Sequence, residues 1–240
     1  MTLTASLSYD EATRKSKVTR HLTYDPRETV QMTEADYTRA CRLLARRDPV
    51  LRDLMRRHGR CGLAERQHAD PFKALVHAII SQQLSTKAAA TIAGRFGALF
   101  GSRFPSPRHV EAAGDEQLRG VGLSVQKIGY LRDLSRRIRG GSLRLDAVGQ
   151  MDDEAVIEAL TQVKGIGRWT AEMFLMFRLH RPDVLPVGDL GIVKAVQRNY
   201  RLRKTPTADR IVAIGECWRP FRSVACWYLW ASLDNAPVRE

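Results

Sequence analysis

Residues 160–194 read LTQVKGIGRWTAEMFLMFRLHRPDVLPVGDLGIVK, and the alternation of apolar runs and turn residues within them decides the fold. An amphipathic helix ends at the start of this stretch. The chain then turns through Val163-Lys164-Gly165-Ile166-Gly167, and a second apolar helix follows. A Pro-containing loop next delivers Asp189 to the start of a third helix. Two glycines one residue apart let a backbone turn tightly and come close to something. Because helix-forming residues follow Gly167, the amides of the turn lie at a helix N-terminus. Unpaired N–H groups and the positive end of the helix dipole there favour an anion such as a phosphate. The string reads as a helix-hairpin-helix, a phosphate grip with an acid downstream. A G-x-G pair alone only closes an αα-turn, and an isolated Asp is a preferred N-cap residue, so Asp189 alone reads first as a cap.

Working outward, the flanking chain is helical. Thr33 predicts the cap of a helix through Arg47, and Asp48-Pro49 and Asp70-Pro71 repeat one start signal, a capping acid with Pro at the first helical position. Phe72, Leu75, Val76, Ile79 and Ile80 recur at helical spacing, and that helix ends at Ser81-Gln82-Gln83-Leu84-Ser85. Ser85 opens an Ala-rich helix to Phe96, and Ser106 and Asp115 open two short ones. The turn Val121-Gly122-Leu123 leads into a helix stopped by Gly140-Gly141, and Asp152 or Asp153 caps the helix that enters the hairpin. Thr207 caps another, and an aromatic-rich helix spans about Ser223 to Leu233. No segment of period two stands out in the main body, so the class is all-α. Residues 1–31 are polar with little periodicity, and read either as a loosely ordered arm or as a partial strand.

The 39 Lys and Arg against 26 Asp and Glu give a net charge of +13, a balance suited to a polyanionic partner. The hydrophobic content of 44% is that of a packed globular chain. The four cysteines (41, 61, 217 and 226) and six histidines are scattered, without metal-ligand or iron–sulfur spacing, so no metal site is expected among them. No apolar run reaches a membrane span and no signal-peptide pattern opens the chain, which predicts a soluble, cytoplasmic protein with no membrane partner.

VKGIGRWTAEMF followed by LPVGDLGIVKAV closely resembles the helix-hairpin-helix superfamily of DNA glycosylases. ADPFKALVHAIISQQLSTKAA and WRPFRSVACWYLW extend the resemblance, to the 3-methyladenine DNA glycosylase II branch, from about Met32 to Leu233. The resemblance implies two helical lobes with the active site in the cleft between them. The central lobe spans about 71–187 with the hairpin at 161–170; the second combines about 32–70 with 188–240. It further implies a monomeric, nucleoid-associated, monofunctional enzyme of base excision repair that hydrolyses the N-glycosidic bond of alkylated purines in duplex DNA. The alternatives are a non-enzymatic helix-hairpin-helix module that only binds DNA backbone, and an oxidised-base or mismatch glycosylase.

Four tasks follow for an enzyme that flips a base out of the stack. Gly165 and Gly167 grip the backbone, with either the Thr170 hydroxyl or a purely structural Thr170, and Lys164 is placed for a phosphate. Relatives often bind a monovalent cation through carbonyls of this turn, here those of Thr161, Val163 and Ile166; no cofactor is required. The turn Gln82, Gln83, Leu84 matches the wedge that fills the vacated gap, with Gln83 at the intercalating position and Leu84 as its rival. Trp169 and Trp230 match aromatic pocket positions, where an indole face attracts a cationic alkylated base. Trp218 is expected in the core, Trp227 and Phe174 in either place, and Met173 departs from the aromatic residue of some relatives. Asp189 matches the catalytic acid, able to stabilise an oxocarbenium-like state or activate water. Arg222 either assists Asp189 or forms a structural ion pair. Trp169 stands where bifunctional relatives carry a Schiff-base lysine, which predicts no lyase activity.

Overall fold

The computed structural model describes residues 32–65, 70–101 and 103–233, so the predicted arm at 1–31 lies outside the described residues. Among these residues the regular structure is helical throughout, with no strand. The α-helices are α1 (Glu34–Arg47), α2 (Pro49–His58), α3 (Pro71–Ser81), α4 (Thr86–Leu99), α5 (Pro107–Ala112) and α6 (Asp115–Gly120). They continue with α7 (Val125–Arg139), α8 (Asp153–Thr161), α9 (Arg168–Phe177), α10 (Leu190–Asn199), α11 (Ala208–Gly215) and α12 (Arg222–Ala231).

The start signals act as their chemistry dictates. Thr33 and Asp36 exchange hydrogen bonds in a capping box. Asp48 and Asp70 each accept from two amides of the first turn behind a Pro. Ser85, Ser124, Asp152 and Thr207 each accept from one. Two boundaries differ from expectation. α4 runs on to Leu99, and α6 is opened by Gly114, whose N–H donates to the Gln117 side chain while Asp115 falls inside the first turn. An acid one step into a helix still complements the dipole, so sequence alone does not separate the two placements.

Helix pairings fall into two sets. α3 packs against α4, α7 and α9; α7 also carries α5 and α6, and α8 lies on α9. In the other set α12 packs on α1, α2 and α10, and α1 pairs with α2. The second set therefore joins residues from both ends of the described chain. Leu75, Val76, Ile79 and Ile80 of α3 are at most 1% exposed, each such side chain contributing roughly 1.5–3 kcal/mol by leaving water. Asp48 knits the second set together. Its Oδ1 caps α2, while its Oδ2 accepts from the Tyr200 hydroxyl at 2.5 Å and the indole N–H of fully buried Trp218 at 2.8 Å.

The loop after α9 ties the sets to one another. His180 Nδ1 lies 3.1 Å from the Tyr37 hydroxyl, and Ser223 Oγ donates to the Arg181 carbonyl at 2.6 Å. Buried Asp183 pairs with Arg219 at 2.7 Å and Arg222 at 2.8 Å. No helix among the described residues is long and apolar enough to cross a membrane.

Candidate active site

The hairpin is built from unequal glycines. Gly165 has φ +81°, and a Cβ there would lie 2.1 Å from Cδ2 of Tyr130, so both backbone and packing require glycine. Gly167 is extended (φ −94°, ψ 173°), a conformation any residue adopts, and a Cβ on it would meet nothing within 4 Å. Neither backbone nor packing therefore requires glycine at this position. It N-caps α9 without a side-chain hydrogen bond, leaving the first amides of that helix to an external acceptor. Val163 and Ile166 anchor the turn in the core at 1% and 4% exposure, and the Val163 carbonyl accepts from the Ile166 amide at 3.0 Å.

Exposed Lys164 sits on the turn, and its amide donates to Asp133 Oδ2 at 2.9 Å. Burial alone would raise the Asp133 pKa; the Lys164 amide and Arg137 outweigh it and hold the carboxyl below the usual range. Thr170 departs from the grip. It is only 7% exposed, as suits an ordinary first-turn helix residue.

Asp189 caps α10, and also does more than cap. Its Oδ1 accepts from the Ile192 amide at 2.8 Å and from Trp230 Nε1 at 2.8 Å; its Oδ2 accepts from Trp169 Nε1 at 2.7 Å. The structure thus brings the expected acid and both expected tryptophans into one constellation. The half-buried carboxylate lies between the two indole N–H edges. Trp169 is 50% exposed, while Trp230 stacks on Phe177 with centroids 5.9 Å apart. All three partners are donors, matching the acceptor-only ionised carboxylate. Glu172, one turn beyond Trp169, is buried, which lifts its carboxyl above the usual range against the pull of Arg168; the charges of Glu154 and Asp189 add to the rise.

The turn after α3 places its residues differently. Gln82 Nε2 donates to the Gly165 carbonyl at 2.7 Å, so this side chain is spent inside the protein as a strut to the hairpin. Gln83 is exposed in the left-handed region with φ 57°, and Leu84 beside it is 37% exposed. A non-glycine residue at positive φ is uncommon and marks a conformation held by its surroundings.

Other candidates resolve to structure. Trp218 is core. Phe174 is 5% exposed, and Trp227 packs edge-on against Tyr228 with centroids 4.8 Å apart. Met173 is half-buried. Arg222 pairs with Asp183 rather than Asp189. Among the described residues no group of three His, Cys, Asp or Glu is gathered as metal ligands would be.

The sequence reading missed Gly191. A Cβ there would lie 2.9 Å from both Asp189 Oδ1 and Trp230 Cδ1, so the acid–indole contact exists because this residue is bare. It also missed Lys127, Tyr130 and Asp133 of α7, which touch the wedge turn and the hairpin. Their only signal was a polar face on an otherwise ordinary amphipathic helix.

A family model described as HhH-GPD superfamily base excision DNA repair protein matches residues 76–220. The chain is 39% identical over 176 residues to DNA-3-methyladenine glycosylase 1 of Schizosaccharomyces pombe, spanning 71% of this chain and 77% of that one. It is 34% identical over 169 residues to a putative DNA-3-methyladenine glycosylase of Bacillus subtilis, spanning 68% and 59%. A solved structure of the Schizosaccharomyces pombe 3-methyladenine DNA glycosylase in complex with abasic DNA superimposes with TM-score 0.72 at 33% identity. That match covers 84% of this chain and all of the other. With more than half of its length inside the family model, and with the hairpin, the acid and the paired indoles in place, the chain belongs to the HhH-GPD superfamily of base excision DNA repair proteins.

Proposed function

We propose that the protein is a monofunctional DNA glycosylase that flips an alkylated purine out of duplex DNA and hydrolyses its N-glycosidic bond. The observation that carries this reading is the Asp189 carboxylate, held by the Ile192 amide and two indole N–H groups beside the hairpin. A module that only binds backbone has no use for an acid so held. With its lone pairs engaged by three donors, the carboxylate works chiefly as a fixed negative charge facing the oxocarbenium-like sugar. A cationic 3-methyladenine or 7-methylguanine is already a good leaving group, so one acid suffices. The names of the relatives in Schizosaccharomyces pombe and Bacillus subtilis support this substrate class.

The hairpin amides from Gly167 onward and Lys164 take the backbone phosphates, and Gln83 with Leu84 fills the vacated gap. The absence of lyase activity rests on Trp169 in place of a Schiff-base lysine. The carbonyls of Thr161, Val163 and Ile166, at the negative end of α8, suit a monovalent cation that would neutralise charge between turn and phosphate. The segregated helix sets support two lobes enclosing the site; the same reading takes the protein as a monomer acting on chromosomal DNA in the cytoplasm.

Asp189→Asn tests the reading. Base release from alkylated duplex DNA, followed by chromatography, should fall at least about a thousandfold, while affinity for the same duplex stays within about twofold. Release at near the wild-type rate would remove Asp189 from the chemistry.

A further inference from the structure

The proposed grip and wedge are separate in sequence, 165 against 83, yet one helix touches both. α7 places Lys127, Tyr130 and Asp133 three residues apart, on neighbouring turns of one side. Lys127 Nζ donates to the carbonyls of Ile80 at 2.6 Å and Gln82 at 2.7 Å. These are among the last carbonyls of α3 and its cap, which lack helical partners of their own. The Tyr130 ring lies against Gly165 so closely that a Cβ there would come within 2.1 Å of it, and its hydroxyl accepts from Gln126 Nε2 at 2.6 Å. Asp133 receives the Lys164 amide. Gln82 closes the frame by donating to the Gly165 carbonyl.

We propose that α7 is an alignment helix for DNA engagement, and that Lys127 is the positioning residue through which it sets the wedge turn relative to the hairpin. The proposal rests on the glycosylase reading above. An enzyme that flips a base must hold the backbone at one point and enter the stack at another, and the distance between them must not drift. Gln83 stands in a left-handed conformation that persists only where neighbours over-determine it. Lys127 and Gln82 are those neighbours: Lys127 ties the Ile80 and Gln82 carbonyls that lead into the bend to α7, and the Gln82 side chain ties the turn to the Gly165 carbonyl of the hairpin. Without the ammonium, the turn can relax, and Gln83 and Leu84 no longer meet the stack where the hairpin has anchored the strand. The Lys127 ammonium is spent on the Ile80 and Gln82 carbonyls and not on Asp189, so its effect should appear only where a paired base must be displaced.

The test compares single-turnover excision of 7-methylguanine paired in a duplex with excision of the same lesion left unpaired in a bulge. Lys127→Met, which keeps most of the aliphatic stem, should slow excision from the paired site by roughly ten- to hundredfold. On the bulged lesion the loss should stay within about twofold, and fluorescence of a 2-aminopurine beside the lesion should rise less on binding. Lys127→Gln, which retains one donor pair, should fall between and serves as the judged variant if Lys127→Met fails to fold. Equal losses on both substrates, or an unchanged paired rate, would overturn the proposal. A wild-type protein that excises neither lesion removes the glycosylase reading and this one with it.

Discussion

Gly191→Ala perturbs the acid without deleting any group that acts. Gly191 lies in the first turn of α10 at an ordinary negative φ, so alanine is conformationally acceptable and should favour the helix by up to about 0.5–1 kcal/mol. The added Cβ, however, would sit 2.9 Å from Asp189 Oδ1, 2.9 Å from Trp230 Cδ1 and 3.1 Å from Trp230 Nε1. That is about 0.5 Å inside ordinary contact for the first two. Neither neighbour is a free chain end. Asp189 Oδ1 is tied to the Ile192 amide, and Trp230 is stacked on Phe177. The strain therefore falls on the 2.8 Å bond between Trp230 and Asp189. A hydrogen bond to a charged group is worth about 1.5–3 kcal/mol, so losing it from the arrangement that meets the transition state predicts about a 10- to 100-fold slower base release. Single-turnover excision of 7-methylguanine from duplex DNA measures the rate, and circular dichroism measures the melting temperature. Gly188→Ala, where a Cβ meets nothing within 4 Å, is the control. The expected pattern is slow release with a modestly lowered melting temperature for Gly191→Ala, since the lost bond outweighs the helix gain, and wild-type behaviour for Gly188→Ala. Release at the wild-type rate by Gly191→Ala would show that the acid–indole contact is irrelevant to the chemistry.

Two further expectations follow from the same geometry. Trp169→Phe keeps a ring but removes the N–H that reaches Asp189 Oδ2, so excision should slow by about tenfold on cationic and neutral lesions alike, whereas Trp169→Ala should cost the cationic ones more. Parallel rates on 7-methylguanine and hypoxanthine substrates check this, and identical behaviour of the two variants would refute it. Burial, reinforced by the charge of Arg178, lowers the pKa of His180, which therefore stays neutral in the fold while the unfolded chain takes up a proton near 6.5. Stability from this residue is complete above that value and drains as pH falls from it toward the folded pKa. His180→Asn, chosen because Asn tolerates the φ of 51°, should flatten the fall in melting temperature between pH 7 and pH 5; an unaltered slope would remove His180 as its source.

How much of this was legible beforehand depends on the range of the interaction. Helix starts were readable because a cap is a local device: Asp48, Asp70 and Thr207 each bond amides two or three residues away. The acid and its two tryptophans were legible through family resemblance, and their spacing of 20 and 41 residues carried no geometric signal that they would meet. Gly191 was invisible because an unremarkable φ gives no cue, and its need comes from Trp230 on another helix. Gln82 reads as part of the wedge through the family resemblance of its turn, whereas its side chain has its partner 83 residues away, a contact no local pattern announces. Arg222 likewise reads either as an assistant to Asp189 or as a structural ion-pair partner, and only the fold supplies Asp183 as that partner.

The Asp48 knot has a bearing on how the chain is made. Its two outer partners arrive late: Tyr200 and Trp218 emerge from the ribosome some 150 residues or more after the acid itself. Until then α1 and α2 have no α12 to pack on, and their leucines stay wet or find a temporary cover. The segment from α3 to α9, whose pairings are satisfied among consecutive residues, can settle first. Synthesis thus leaves α1 and α2 waiting for α12, and a nascent polypeptide halted before residue 218 carries an orphaned helix pair that a holdase chaperone or a protease would meet.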